Sequence, residues 1–236
     1  MSRVPATLRP MHGYGVIFDM DGVLALTEEA HWLSWRDAAR RHGVELAYET
    51  FLSCFGRVNA DCVRIMIGEH IGPEESKALS DEKEAAMREI IRHAVPLAPG
   101  LVPLLDALRA DGARLAVGSS APPENVDLIL DAGKIRDRFA AAVDGSQVRR
   151  GKPAPDVFLL AAERMGIEPA GCTVIEDAPL GIRAARAAGM AAIGLATTHE
   201  ASELAEAGAH AVFPAMPSLS VETIRRAMAQ ARCQSC

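Results

Sequence analysis

The spacing of apolar residues changes along this chain, and the change divides it. Gly15-Val16-Ile17-Phe18 is a continuous apolar run that stops on Asp19-Met20-Asp21. Such a run predicts a buried strand whose carboxyl end turns polar. From residue 27 to 95 the period is helical, and no segment reads as a strand. Thr27 is placed to cap a first helix, with Glu28 and Glu29 in its first turn and Gly43 at its end. Trp32, Trp35 and Ala39 share a face of that helix, and further helices are expected near 48–54, 59–69, 74–79 and 80–93.

From residue 96 onward strands and helices alternate, which predicts a parallel sheet with crossover helices. Val102, Leu105 and Leu108 mark one helix, followed by a strand at 114–120. Pro123 opens the next helix, with Val126, Ile129 and Leu130 as its core face and Gly133 as its stop. Ala141 to Val143 is a short strand, and Phe158, Leu159, Ala162 and Met165 lie on a helix that Gly166 ends. A strand at 172–176, a helix through Ile182 and Ala185, and late strands at 192–195 and 211–213 complete the series. The helical stretch interrupts this order, so the expected domains are 1–26 with 96–236, and 27–95 between them. Two crossings, near 24–27 and 94–98, form a natural hinge.

Composition narrows the function classes. The chain of 236 residues is 49% hydrophobic and 4% aromatic, so its core is mainly aliphatic. A net charge of −6 argues against a nucleic-acid or membrane-surface binder, either of which needs a basic patch. The first residues, with Arg3, Pro5, Arg9 and Pro10, lack the apolar core of a signal peptide, and no apolar run is long enough to span a membrane. Cys54, Cys62 and Cys172 sit in apolar surroundings, as reduced thiols of a cytoplasmic protein do. Cys233-x-x-Cys236 has metal or redox spacing, but it is a lone pair at the terminus and reads as a frayed tail.

The chemistry lies where apolar runs end in polar residues. Asp19 and Asp21 alternate along a strand end and can point to one side. Carboxylates that close repel unless a cation lies between them, which suggests magnesium, an ion that takes one or two carboxylates together with phosphate oxygens. Leu115-Ala116-Val117-Gly118 ends in Ser119-Ser120, Arg150-Gly151-Lys152-Pro153 fixes a cation between Gly and Pro, and Cys172-Thr173-Val174-Ile175 ends in Glu176-Asp177. In an open α/β sheet these segments converge beyond the carboxyl ends of the strands. A P-loop does not account for Gly145 to Lys152, because five residues separate Gly145 from Gly151 and Pro153 follows the lysine.

The ordered set DxD, Ser, Lys and Glu-Asp resembles the haloacid dehalogenase superfamily, in its β-phosphoglucomutase-like and phosphoglycolate phosphatase-like branch. The likeness runs from Gly15 to about Pro214. It implies a Rossmann-like, doubly wound α/β core with an inserted all-helical cap, and Mg2+ as cofactor. By the resemblance Asp19 is the nucleophile that forms an aspartyl-phosphate and a magnesium ligand. Asp21 is the general acid–base, and its backbone carbonyl also binds the metal. Relatives that cut carbon–halogen bonds lack this second Asp, and phosphonate-cleaving relatives carry a small residue there, so Asp21 implies phosphate esters. Ser119 or Ser120 could hold the phosphoryl group, and the family alignment favours Ser119. Lys152 balances charge, Asp177 is the better direct metal ligand, and Glu176 either ligates or orients metal waters.

In the helical stretch His31 and Trp35 align with positions that face the active site of the family, although Trp35 serves equally well as helix core. Gly56-Arg57-x-Asn59 occupies the family's substrate-specificity loop. In the mutases an Arg that grips a second phosphate stands where Asn59 aligns, so Asn59 counts against mutase activity. Arg57 could substitute from two positions earlier, and Lys83 aligns with another phosphate-contacting cation; either could be a solvated helix charge. The expected activity is a magnesium-dependent phosphatase acting on a small phosphorylated metabolite such as a sugar phosphate, in a monomer or weak homodimer. A phosphomutase is the alternative. A catalytically silent binding protein on the same fold would have no physical need for clustered carboxylates.

Overall fold

The apolar run forms β1 (Tyr14–Phe18), buried at every position. The computed structural model describes residues 13–234; Cys236 and the Arg3–Pro10 segment lie outside them. After β1 come α1 (Glu28–Arg41), α2 (Tyr48–Cys54), α3 (Asn59–Met66) and α4 (Pro73–Ile91). The two helices expected at 74–79 and 80–93 are one. Ser80 does not interrupt α4, because its hydroxyl donates to the Ser76 carbonyl at 2.7 Å instead of competing for the helix backbone. Trp35, Ala38, Phe51, Cys54, Val63, Met66 and Leu79 pack these helices into a hydrophobic cluster of their own.

The remaining elements alternate as the sequence predicts, with two helices, over 201–206 and 221–234, that the sequence reading does not mark. They are α5 (Leu101–Ala110), β2 (Ala113–Gly118), α6 (Pro123–Ala132), β3 (Ala141–Val143), α7 (Asp156–Met165), β4 (Cys172–Glu176), α8 (Pro179–Ala187), β5 (Ala191–Leu195), α9 (Ala201–Glu206), β6 (Ala211–Phe213) and α10 (Val221–Gln234). The strands form one parallel sheet in the order β3-β2-β1-β4-β5-β6. Side chains alternate across it. Val16, Phe18, Leu115 and Val117 pack with α5, α6 and α10, while Ile17, Ala116 and Val174 pack with α7, α8 and Leu204 of α9. Among the described residues no helix is long and apolar enough to cross a membrane.

This strand order reverses direction between β1 and β4, and a doubly wound sheet opens a crevice at such a point. Asp19 follows β1, and Glu176 and Asp177 end β4, so the acids meet there by topology. The crossings to and from the helices pair with each other. Leu26 N–H donates to the Pro96 carbonyl at 2.8 Å and Ala98 N–H to Leu24 at 2.9 Å, a short antiparallel ribbon centred on Ala25 and Leu97.

Candidate active site

Register brings the first acids together. Phe18 lies opposite Ile175 across β1 and β4, and Asp19 N–H donates to the Ile175 carbonyl at 3.0 Å. Asp19, Glu176 and Asp177 are all buried, and each offers a carboxylate oxygen within 4.8 Å of the others. Lys152, buried on the loop before α7, donates to Asp19 Oδ1 and to Glu176 Oε1, each at 2.6 Å. The second Glu176 oxygen accepts from Ala178 N–H at 2.8 Å. Asp177 Oδ2 is buried with no hydrogen-bond partner among the described residues.

Two glycines make room for these oxygens. A Cβ on Gly22, which holds φ at +76°, would stand 1.9 Å from Asp177 Oδ2, and one on Gly181 would stand 1.7 Å from Glu176 Oε1.

Electrostatics then shows what this cluster lacks. Burial pushes the Asp19 carboxyl up most; Lys152 opposes the rise and Glu176 adds to it, leaving Asp19 at about 7. Burial, followed by the charges of Glu176 and Asp19, holds Asp177 well above the usual carboxylate range. One ammonium facing three carboxylates leaves two negative charges uncompensated. The donor set therefore fits a hard divalent cation, which binds carboxylate oxygens, and the orphaned Asp177 oxygen is the free donor it would use.

Asp21 stands apart from that cluster and faces the helices. Its Oδ1 accepts from the Thr27 hydroxyl at 2.5 Å and lies 3.1 Å from His31 Nε2. Thr27 occupies the cap position of α1, but its side chain makes no cap bond; the hydroxyl is spent on Asp21 instead. Burial raises the Asp21 carboxyl, but His31 and Thr27 together outweigh it and keep the group below its ordinary value.

Behind His31 lies a chain of charges that no solvated helix would show. Lys83 is buried, with its ammonium 2.6 Å from His31 Nδ1, 2.9 Å from Glu84 Oε1 and 4.9 Å from the centroid of the Trp35 ring. An ammonium only donates, so Nδ1 accepts and His31 presents Nε2–H to Asp21. Glu84 also accepts from Asn59 at 2.8 Å and from Asn125 of α6 at 2.7 Å, and Arg88 donates to Asn125 at 2.7 Å. A path of hydrogen bonds thus runs from Asp21 through α1 and α4 to the sheet layer.

One cleft gathers the sites expected from sequence. Asp19, Asp21, Ser119, Ser120 and Lys152 line its sheet side, and His31, Trp35, Gly56, Arg57, Asn59 and Lys83 its helical side. Glu176 and Asp177 lie behind that surface, in the carboxylate cluster. Ser119 is buried, its amide bonded to Val143 and its hydroxyl accepting from Ala121 N–H at 3.1 Å. Ser120 is half-buried beside it. Trp35 is both helix core and cleft wall. Arg57 is half-buried and spends only Nε on the Ser53 carbonyl, at 3.3 Å. Asn59 turns its amide to Glu84.

Sequence reasoning missed Thr27, Glu84 and Asn125. The sequence leaves Lys83 open between a phosphate-contacting cation and a solvated helix charge and gives no sign of its partner Glu84, and only the packing of α4 on α1 and α6 reveals their burial.

Glu84 carries a stability prediction. Burial raises its carboxyl, but Lys83, His31 and Asn125 outweigh that and bring it to about 2, from an ordinary 4.5. A depressed carboxylate stabilises the fold fully above the unfolded value and loses that contribution as pH falls through the folded one. Glu84→Gln is expected to cost about 3 kcal/mol at neutral pH by leaving Lys83 unpaired. The gap to wild type should shrink as pH drops from 4.5 toward 2. Urea titrations across that window check both statements, and a gap that stays constant with pH contradicts them.

The model of the haloacid dehalogenase-like hydrolase family matches residues 15–189. The fructose-1-phosphate phosphatase YqaB of Escherichia coli is 36% identical over 182 residues, covering 76% of this chain and 94% of that protein. The beta-phosphoglucomutase of Bacillus subtilis is 33% identical, covering 76% and 82%. A crystal structure of beta-phosphoglucomutase from Clostridium difficile superposes with a TM-score of 0.85 at 24% identity, covering 93% of this chain and 99% of that one, a likeness of fold.

Proposed function

The chain belongs to the haloacid dehalogenase-like hydrolases, and from that premise we propose that it is a magnesium-dependent phosphatase of small phosphorylated sugars. The observation that carries this reading is the buried Asp19–Glu176–Asp177 cluster, held by one lysine and left with a free carboxylate oxygen. Asp19, Asp177 and the backbone carbonyl of Asp21 would hold the ion, with Glu176 beside them. When bound, it supplies charge neutralisation, which lets an anionic phosphoryl group approach an anionic nucleophile.

The residues of the chain do the rest. Asp19 attacks phosphorus through a carboxylate oxygen, the bond to the leaving oxygen breaks, and an aspartyl-phosphate forms. Lys152 keeps that carboxylate oriented and offsets charge on the transferring group. The Ser119 hydroxyl, in the turn after β2, is placed to donate to a phosphoryl oxygen. Asp21 protonates the leaving oxygen in the first step and takes a proton from water in the second. The second step uses its ionised form, the one bonded to Thr27 and His31. Residues 27–95 act as a cap that opens for substrate and closes to control water, with the Leu26–Pro96 ribbon as its hinge.

Hydrolysis is favoured over phosphoryl return to a sugar by the helical wall. Asn59 stands where the mutases carry an Arg, and its amide is committed to Glu84, while Lys83 is committed to Glu84 and His31. Arg57 is the cation left facing the cleft. Arg57→Ala is expected to raise KM for a sugar phosphate roughly tenfold while leaving a small artificial ester almost unaffected, the loss of one charge-assisted contact. Equal effects on both substrates would remove Arg57 from recognition.

The test is a panel of phosphorylated metabolites scored for inorganic phosphate and for isomerised product in the same wells. Phosphate release from sugar monophosphates is expected, abolished by EDTA and restored by Mg2+. The thermal midpoint should also climb with Mg2+ concentration, since a ligand bound only by the folded state stabilises it. Isomerised β-glucose 1-phosphate without net phosphate release would establish the mutase instead. A midpoint indifferent to Mg2+ would refute the metal site whatever the substrate.

A further inference from the structure

The helical layer holds a pair of thiols that the proposed reaction does not use. Cys54 closes α2 and Cys62 lies near the start of α3, and the segment from Phe55 to Asp61, a loop as far as Val58 and then the first turn of α3, joins them. That segment carries Gly56, Arg57 and Asn59. Both cysteines are buried, at 0% and 4% exposure, yet both line the cleft beside these residues. The Cys62 thiol donates to the Cys54 carbonyl oxygen at 3.5 Å. We propose that Cys54 and Cys62 are an oxidation site, converted to a disulfide by a small hydroperoxide that enters the cleft, and that the bond fixes the substrate-facing loop between them.

The surroundings of the pair assign the roles. The neighbouring Cys62 side chain, with burial opposing it and Ser53 and Arg57 assisting, brings the Cys54 thiol down to about 7. Ser53 Oγ is 3.8 Å from that sulfur. Cys62, whose proton is held on the Cys54 carbonyl, is pushed well above the ordinary thiol value by the neighbouring Cys54 side chain and by burial. A thiolate beside a retained thiol is the arrangement of an attacking and a resolving cysteine.

In the first step Cys54 thiolate attacks one peroxide oxygen. The O–O bond breaks, sulfur gives up two electrons, hydroxide leaves, and Cys54 becomes a sulfenic acid. In the second, Cys62 sulfur attacks Cys54 sulfur as its proton passes to the departing oxygen. The S–O bond breaks, water leaves and the S–S bond forms. Two thiols and one hydrogen peroxide thereby give one disulfide and two waters. Cys172 makes a useful contrast: burial pushes its thiol up to about 12, and it donates to the Glu168 carbonyl.

The test uses the full chain carrying Cys233→Ser and Cys236→Ser, with and without Cys62→Ala. Each protein is treated with stoichiometric hydrogen peroxide, alkylated, and mapped by mass spectrometry. The expected product is a Cys54–Cys62 linked peptide with a mass lower by about 2 Da, the loss of two hydrogens, reversed by dithiothreitol. In Cys62→Ala the same treatment should leave a sulfenic acid on Cys54 that dimedone captures. Thiols that both remain alkylable after peroxide, a stable sulfenic acid on Cys54 with Cys62 present, or a bond to Cys172 would overturn the proposal. The mass readout is independent of which substrate the cleft takes. The linked protein should also lose at least tenfold in kcat/KM, recovered on reduction; a bond that forms without changing kcat/KM would overturn its effect on the loop.

Discussion

Asp19→Asn is expected to lower turnover by about 10⁴-fold or more, the scale seen when a nucleophile is removed from a covalent mechanism. The substitution keeps the size of the side chain and its hydrogen-bonding capacity but removes the attacking charge. The fold should survive, and the metal-free protein should lose no thermal stability. Asp19 is 5% exposed in a cluster with more carboxylates than cations, and burial alone pushes it toward its neutral form. A neutral amide relieves the repulsion from Glu176, and Lys152 retains its bond to Glu176 Oε1. Steady-state kinetics with a thermal melt of the same preparation check both halves. Retained turnover would remove Asp19 from the covalent role, and a collapsed melt would show that its charge is needed for folding.

Lys152→Met carries the second large effect, and here stability and activity fall together. The ammonium makes 2.6 Å bonds to Asp19 and Glu176, its side chain is 1% exposed, and it sits 5.0 Å from the centroid of the Phe158 ring. Methionine fills similar space but leaves three buried carboxylates with no cation among them. Removing one partner of a buried ion pair costs about 3–5 kcal/mol, most of it the penalty on the charge left behind. Turnover should drop to background as well, because the nucleophile loses the group that orients it. Saturating Mg2+ should restore part of the stability and none of the turnover, since a cation can answer the charge without replacing the hydrogen bond to Asp19 Oδ1. Urea denaturation with and without Mg2+ measures this, and a variant as stable as wild type in metal-free buffer would contradict the charge account.

The sheet and its acids were legible because the physics that builds them acts locally. A strand buried on both faces must be continuously apolar, so Val16-Ile17-Phe18 and Thr173-Val174-Ile175 stand out, and the acids that end them mark the carboxyl edge. Lys152 was legible through its Gly and Pro neighbours. The helical layer was harder. The helical pattern divides at 79–80, where Ser80 stands, but in α4 its hydroxyl bonds back to Ser76 and the helix continues. Thr27 was legible as a cap by position, while the partner its hydroxyl takes, Asp21, depends on how α1 docks. Glu84 and Asn125, and the burial of Lys83 between them and His31, were out of reach for the same reason. Their burial is created by three elements meeting, 41 residues apart along the chain between Glu84 and Asn125, and no local pattern encodes that.

Asp19 is expected to carry the phosphoryl group during turnover. The most direct measurement is rapid acid quench of the protein turning over a sugar phosphate with Mg2+, followed by peptide mapping of the protein-bound phosphoryl group. The group is expected on Asp19, forming and decaying fast enough to lie on the path to free phosphate, and absent in Asp19→Asn and in EDTA. Phosphate released at the full rate with Asp19 unmodified at every quench time, or a phosphoryl group carried by another side chain, would contradict that expectation.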